Sequence, residues 1–230
     1  MKTKFFIPLL VTVGSFAISG VSQAATTLAL WTFETSVPLL NNSQSITGIA
    51  AESGAGTASG FHTRATTDWS NPAGNGSIES FSVNEWTTGD YFQFQVSSVG
   101  YEDLTVSFDS VRSGTGPASF KIQYSIDGSS FTDFATYTVL ENTTPNNWTS
   151  GTPIGTTSFA FDFSSISALD DDSSIFFRLT STVTPTNVAG TARIDNVLIA
   201  GTEIVAIPEP SRALLLGIGG LGLIFRRRRQ

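Results

Sequence analysis

The chain has 230 residues, no cysteine, and 19 acidic against 12 basic residues. The lack of cysteine excludes a disulfide scaffold, a thiolate metal site and a thiol nucleophile, so a hydrophobic core must stabilise the fold. Between residues 25 and 207 there are 18 acidic and five basic residues, a formal charge of −13. Such a domain repels phosphate backbones, so no nucleic acid partner is expected. Solubility explains this charge most simply, and divalent-cation binding is the alternative.

The N-terminus has the three parts of a secretory signal peptide, which we assign to residues 1–24. Two lysines in the first four residues precede an apolar stretch over residues 5–17, and small residues follow it. Signal peptidase is predicted to cut between Ala24 and Ala25. The alternative is an uncleaved anchor, but the apolar stretch is interrupted by Pro8 and is short for a lasting membrane span.

The C-terminal segment, residues 204–230, has three parts of its own. Pro208, Glu209 and Pro210 keep the chain extended, because proline fixes φ and lacks a backbone donor. A transmembrane helix is predicted over residues 211–225, and four arginines follow it: Arg226, Arg227, Arg228 and Arg229. The uncharged part of this helix is about 20 Å long, against about 30 Å for the hydrocarbon core, so it makes a poor permanent anchor. The arginines stay in the cytoplasm, which leaves the domain outside the inner membrane.

This order of Pro-Glu-Pro, apolar helix and basic cluster resembles a PEP-CTERM sorting signal, the tail that exosortases handle in exopolysaccharide-producing Gram-negative bacteria. The resemblance covers about the last 25 residues. It implies export, recognition by a membrane-embedded, cysteine protease-like sorting enzyme, and removal of the helix. The implied destination is the cell surface or the extracellular matrix, after a transient stay in the inner membrane. Signal peptidase and an exosortase-type enzyme are the implied processing partners.

The middle of the chain, residues 25–203, is predicted to be one extracellular domain of the all-β class. Apolar and polar residues alternate with period two, and clusters of Gly, Asn, Asp, Ser and Pro interrupt them. This pattern predicts an antiparallel β-sandwich that is jelly-roll-like. Strands are predicted at residues 91–96, 104–111, 131–140, 158–163, 175–181 and 192–200.

Two local patterns refine this prediction. Phe120, Ile122, Tyr124 and Ile126 alternate with polar residues and are predicted to share one face of a strand, and the Asp-Gly pair that follows is typical of a hairpin turn. The stretch from residue 41 to 75 is rich in Ser, Thr, Gly and Ala, so we expect long loops there with one or two short strands.

The middle domain also resembles the carbohydrate-binding or lectin-like jelly rolls often found on PEP-CTERM proteins. In such jelly rolls the first and last strands run side by side and often hold a structural calcium ion between carboxylates. Glu34 and Asp195 are the matching positions, and backbone carbonyls and water would complete the six to eight oxygens that calcium takes. The alternative is that Asp195 caps a turn or pairs with Arg193 or Arg178. The resemblance is carried by residues 30–34, 124–128 and 193–197.

Sugar binding would use an exposed aromatic ring against a pyranose, with polar neighbours to bond the hydroxyl groups. Trp69, Trp86 and Trp148 lie near loop-rich sequence and are the predicted glycan-binding residues, with partial burial as the alternative. Trp31 alternates with strand residues and is predicted to lie in the core.

Catalytic chemistry has little support in the sequence. His62 is the only histidine, and no Gly-x-Ser-x-Gly turn accompanies it. We therefore predict a non-enzymatic surface or matrix protein associated with extracellular polysaccharide. A carbohydrate-binding module with structural calcium and a glycoside hydrolase that uses two carboxylates remain the alternatives.

The two processing steps predict a specific mass. The protein recovered from the culture medium or cell surface should span Ala25 to about residues 208–210, as measured by intact-mass spectrometry. A mass that retains the four C-terminal arginines would mean that the tail is an ordinary anchor.

Overall fold

The computed structural model describes residues 23–36, 38 and 41–205, which form two β-sheets packed face to face. The predicted all-β sandwich is confirmed. Helix within this range is limited to two 3-10 turns, Gly155–Thr157 and Ser167–Leu169. No helix in the described part of the chain is long and apolar enough to cross a membrane. The sorting tail from residue 206 onward and signal-peptide residues 1–22 lie outside the described residues.

Fifteen strands are described. In chain order they are β1 (Thr26–Trp31), β2 (Asn41–Asn42), β3 (Ser45–Ala50), β4 (Ser53–Gly54), β5 (Gly56–Phe61), β6 (Asp68–Ser70), β7 (Phe81–Val83), β8 (Tyr91–Val96), β9 (Tyr101–Arg112), β10 (Ser119–Ser125), β11 (Thr132–Thr138), β12 (Leu140–Glu141), β13 (Ser158–Asp162), β14 (Ile175–Ser181) and β15 (Ala192–Glu203).

The larger sheet has nine strands and is built on the long pair β9 and β15. Its main path runs β12-β9-β15-β7-β6-β2, with β13 paired to β9, and with β1 paired to both β15 and β4. The first and last strands are therefore antiparallel neighbours, with Thr26 opposite Gly201. The smaller sheet has the order β11-β10-β14-β8-β5-β3. All described pairings are antiparallel except that of β12 with β9.

Inward-facing and outward-facing side chains alternate along the strands, and the inward-facing ones form the core. On β8, Phe92 and Phe94 are buried and point inward, and Phe94 lies opposite Phe177 of β14. The Trp31 ring approaches from the other sheet, with its centroid 5.0 Å from that of Phe94. Burying one such side chain stabilises the fold by roughly 1.5–3 kcal/mol. Ile126 departs from the predicted face because β10 ends at residue 125, and its side chain is 50% exposed in the following turn.

The stretch from residue 41 to 75 contains five strands, β2 to β6, so the prediction of mostly loops was wrong. The small residues there make room for indole rings. A Cβ added to Gly56 would lie 2.8 Å from the Trp31 ring, and one added to Gly60 would lie 2.4 Å from the Trp69 ring. The hydrophobic partners of these strands come from elsewhere in the chain, which is why the local pattern is weak.

Glu52 holds the segment that leaves β1. Its carboxylate accepts five hydrogen bonds, from the backbone and hydroxyl of Thr32, from the backbone and hydroxyl of Thr35, and from the backbone of Ser36. Burial raises the pKa of Glu52, but these bonds outweigh burial and lower the pKa to about 2. The ionised carboxylate therefore fixes the geometry of residues 32–36.

We predict that Glu52→Gln lowers the free energy of unfolding by about 1–2 kcal/mol at pH 7, because an amide cannot accept at both positions. The folded pKa of about 2 lies below the ordinary 4.5, so this contribution is complete above pH 4.5 and is lost as the pH falls towards 2. Urea unfolding at pH 7 and at pH 2.5 measures it. Glu102→Gln, at an exposed position of β9, is the control. A wild-type advantage over Glu52→Gln that is as large at pH 2.5 as at pH 7 would contradict the assignment.

Candidate functional site

The outward side chains of the six-stranded sheet form an ordered surface, which we call the outer sheet face. At its centre a polar row crosses five strands, because the residues that share this row lie opposite one another in register. Neighbouring strands lie about 4.8 Å apart, so the row is about 19 Å long, enough for a short oligosaccharide. From one side to the other the polar row consists of Asp133, Gln123, Arg178, Gln93 and Ser59.

Hydrogen bonds join the members of the polar row. Arg178 Nε donates to Gln93 Oε1 at 2.7 Å, and Gln93 Nε2 reaches Ser59 Oγ at 3.5 Å. Gln123 Nε2 donates to Asp133 Oδ1 at 2.6 Å. These bonds restrict the side chains to one arrangement, which lowers the entropic cost of binding a ligand.

Aromatic rings flank Arg178 on both sides. The guanidinium carbon lies 3.8 Å from the centre of the Tyr91 ring and 3.5 Å from that of Phe131, which precedes β11. Tyr91 in turn contacts Phe61, with 5.9 Å between the ring centroids, and Phe61 is 40% exposed. Cation–π stacking fixes the plane of the guanidinium and leaves ring surface next to it.

A parallel row of outward residues continues the outer sheet face. Phe176 of β14 lies opposite Gln95 of β8, and the Gln95 amide donates to Ser174 at 2.8 Å. Half-buried rings beside amide and guanidinium groups are the combination by which proteins contact both the apolar faces and the hydroxyl groups of sugars.

This site is not among those predicted from the sequence. Its signal was nevertheless present in two correctly predicted strands, residues 91–96 and 175–181, where Gln93 and Arg178 occupy the polar positions of the alternation. The contribution of Phe131 depends on the pairing of β10 with β11, which brings that residue over β14.

The three tryptophans predicted to bind glycan are not exposed. Trp69, Trp86 and Trp148 are 0%, 2% and 3% exposed, so none presents a ring face to a sugar and the predicted platform is wrong. These tryptophans can be buried because each indole N–H donates a hydrogen bond to an acceptor inside the fold. These acceptors are Ser43 O at 2.8 Å, Val83 O at 2.9 Å and Thr157 Oγ1 at 2.9 Å, respectively.

His62 is also part of the core. Its ring lies between Trp69 and Trp86, with centroid distances of 5.1 and 4.3 Å, and it is fully buried. Burial lowers the pKa of His62 to about 4 despite the nearby Asp90 carboxylate, so the ring is neutral at pH 7. A neutral histidine enclosed by indoles cannot reach a substrate on the surface.

Glu34 and Asp195, the predicted calcium ligands, both bond to the loop between β6 and β7. Glu34 is exposed, and its Oε1 accepts from the backbone N–H of Glu79 at 2.8 Å. Asp195 is fully buried, and its Oδ2 accepts from Asn75 N at 2.8 Å and Ser77 Oγ at 2.6 Å. The expected adjacency of the first and last strands is confirmed by the pairing of β1 with β15.

Oxygen atoms converge at this loop. A Cβ added to Gly74 would meet Ser77 Oγ, Asp195 Oδ2 and Glu79 O at 2.1–2.3 Å, so only glycine fits there. In the described part of the chain, no three His, Asp or Glu side chains group together to hold a metal. Calcium would therefore rely on Asp195, the Ser77 hydroxyl, backbone carbonyls and water, with Glu34 bonded to the same loop from outside it. The calcium site stays a prediction.

No protein-family model and no curated protein matches the sequence. Among solved structures, the chain is similar to the CBM22-1–GH10 modules of Clostridium thermocellum endo-1,4-β-D-xylanase 10B, solved with xylohexaose (14% identity, TM-score 0.45). It is also similar to the CBM22 tandem domain of Paenibacillus barcinonensis Xyn10C (13%, 0.42). The matches cover 79% and 83% of this chain, but only 29% and 50% of those chains.

The cleaved K2 adhesin domain of Lys-gingipain is a further match, with 14% identity and a TM-score of 0.38, over 76% of this chain and 97% of that chain. The TM-scores of these three matches are all below 0.5. The ligand has to be inferred from the residues of the site itself.

The raised pKa of Asp195 predicts that this residue makes an unusual contribution to the pH dependence of stability. Burial raises its pKa from 3.8 to about 6, against the opposing hydrogen bonds from Ser77, Asn75 and Asn196. Between pH 3.8 and 6 the folded state holds a proton that the unfolded state releases. The contribution of Asp195 to stability should therefore fall as the pH rises through this window, by up to about 3 kcal/mol. His62, whose pKa burial lowers from 6.5 to about 4, contributes the opposite slope between these two values, so a variant is needed to separate the two contributions.

Denaturant unfolding of the wild type and of Asp195→Asn from pH 4 to 7 measures this contribution as the difference between the two slopes. Asp162→Asn is the control and should keep the wild-type slope, because hydrogen bonds from Ser164 hold the pKa of Asp162 below its ordinary value. If calcium binds Asp195, saturating CaCl₂ should raise the melting temperature at pH 7 in the wild type but not in Asp195→Asn. An unchanged wild-type melting temperature at saturating CaCl₂ would remove the calcium prediction.

Proposed function

We propose that this protein is an exported, non-enzymatic carbohydrate-binding domain of jelly-roll type, and that the outer sheet face binds its polysaccharide. The observation that carries this proposal is the arrangement around Arg178, whose guanidinium lies between Tyr91 and Phe131 at the centre of the polar row. The rings offer apolar surface to pyranose faces. The amides of Gln93 and Gln95 offer donors and acceptors to hydroxyl groups.

The length of the polar row favours a polymer over a single sugar. A polysaccharide chain that crosses the strands would contact Ser59 at one side and Asp133 at the other. Several successive sugar units would then contact the polar row at the same time. Surfaces of this kind bind through many modest contacts, since each ring or amide contributes only about 1 kcal/mol.

The two ends of the chain support an extracellular location for this binding. The proposed signal peptide, residues 1–24, and the proposed sorting tail, residues 204–230, would deliver the sandwich to the cell surface or matrix. A polysaccharide-binding domain held there would associate with the extracellular polymer. Signal peptidase and an exosortase-type enzyme are the proposed processing partners.

The double variant Tyr91→Ala/Phe131→Ala tests the site. Loss of two stacked rings should weaken binding by about tenfold, because each ring contributes about 0.5–1.5 kcal/mol. Affinity electrophoresis measures the retardation in gels that contain xylan, mixed-linkage β-glucan, galactomannan, alginate or polygalacturonate.

Phe159→Ala is the matched control, because Phe159 is a half-buried phenylalanine on β13 of the other sheet. It should keep the wild-type retardation. Melting temperatures verify that each variant is folded. Equal retardation of the wild type and the folded double variant, or no retardation of the wild type by any of these polymers, would refute the proposal.

A further inference from the structure

The charge of the domain is distributed very unevenly between the two sheets. The nine strands of the larger sheet carry eight acidic and two basic residues. The six strands of the smaller sheet carry one acidic residue, Asp133, and two basic residues, Lys121 and Arg178. In a domain whose formal charge is −13, the outer sheet face thus belongs to the sheet that is not acidic. This sheet is where an anionic polymer can approach with the least repulsion.

The two basic residues of this sheet differ in their partners. Lys121 Nζ lies 2.8 Å from Asp133 Oδ1, and this neighbour holds the pKa of Asp133 below its ordinary value. The charge of Lys121 is therefore neutralised within the face. Among the described residues no carboxylate forms an ion pair with Arg178. Its polar contacts are with neutral groups: Nε–H donates to the amide oxygen of Gln93, and the guanidinium also bonds to the side chain of Tyr91.

Burial of the Arg178 guanidinium without a negatively charged partner costs free energy. Arg178 is half-buried between two rings, and burial lowers its pKa from the ordinary value while leaving it charged at neutral pH. Stacking fixes the plane of the group, so its terminal amino nitrogens are held in one orientation. A planar, fixed guanidinium without an anion matches a carboxylate, which it can bind through two parallel hydrogen bonds.

We infer that the polysaccharide bound on the outer sheet face is acidic, and that Arg178 binds the carboxylate of a uronic acid residue. This inference rests on the proposed function, because it specifies the ligand of the same site. Phe61, Tyr91 and the glutamine amides contact the neutral parts of the chain, whereas Arg178 selects for the charged sugar.

The test compares two polymers with the same backbone: polygalacturonate, and the neutral galactan obtained from it by carboxyl reduction. The wild-type protein should bind polygalacturonate about tenfold more tightly than the reduced polymer at low salt, and this ratio should shrink as salt is added. Affinity electrophoresis or calorimetry of the unmodified protein measures it, so the result does not depend on a variant that folds.

Two variants with the same change in charge then locate the effect. Arg178→Gln should lower the affinity for polygalacturonate about tenfold more than the affinity for the reduced polymer, which brings the ratio of the two affinities close to one. Lys121→Gln lies on the same sheet and should change the ratio of the two affinities by less than twofold. Arg178→Lys keeps the charge without the planar fork and should restore only part of the ratio.

Each result has a separate meaning. Equal binding of polygalacturonate and its reduced form overturns the inference while the proposed function stands. Absence of binding to every polymer overturns the proposed function itself. If Lys121→Gln loses as much as Arg178→Gln, or if dextran sulfate binds as tightly as polygalacturonate, the attraction is one of general charge and the assignment of a carboxylate to Arg178 is wrong.

Discussion

The packing of large aromatic rings between two sheets is the constraint on which the rest of the structure depends. The chain has no cysteine, so burial must supply nearly all of its stability. Trp31, Trp69 and Trp86 fill the space between the sheets, and the glycines of β5 leave room for two of these rings. Each indole N–H bonds to a backbone carbonyl, so burial leaves no unpaired donor. The rings therefore set both the separation and the register of the sheets.

The strand register that core packing sets determines which side chains lie on the outer sheet face. Since side chains alternate along a strand, the inward positions of Phe92 and Phe94 force Gln93 outward, and the inward position of Phe177 forces Arg178 outward. Pairing of β8 with β14 then places these two polar residues side by side. The outer sheet face is thus a consequence of core packing, and a one-residue slip of either strand would dismantle it.

The sequence predicted the elements that carry their own hydrophobic pattern. The bounds of β8 and β14 agree with prediction, and β9, β13 and β15 were found with small errors at their ends. The sequence pattern did not predict β3 and β5, because their small residues pack against aromatic rings that are far away in the chain. It also placed Trp86 and Trp148 on the surface, because proximity to loop-rich sequence does not indicate burial. The polar row joins five strands, and only the sheet order brings its members together.

The adjacency of the first and last strands has a mechanical consequence. Thr26 and Gly201 lie opposite each other, so the polypeptide enters and leaves the sandwich at the same pole. A domain arranged in this way can be joined to, or excised from, a longer polypeptide without stretching across its own body. Tension applied between the two ends would act on the β1–β15 ladder first and would open it one pair at a time. The six-stranded sheet, which contains neither strand, would keep its shape while this seam came apart.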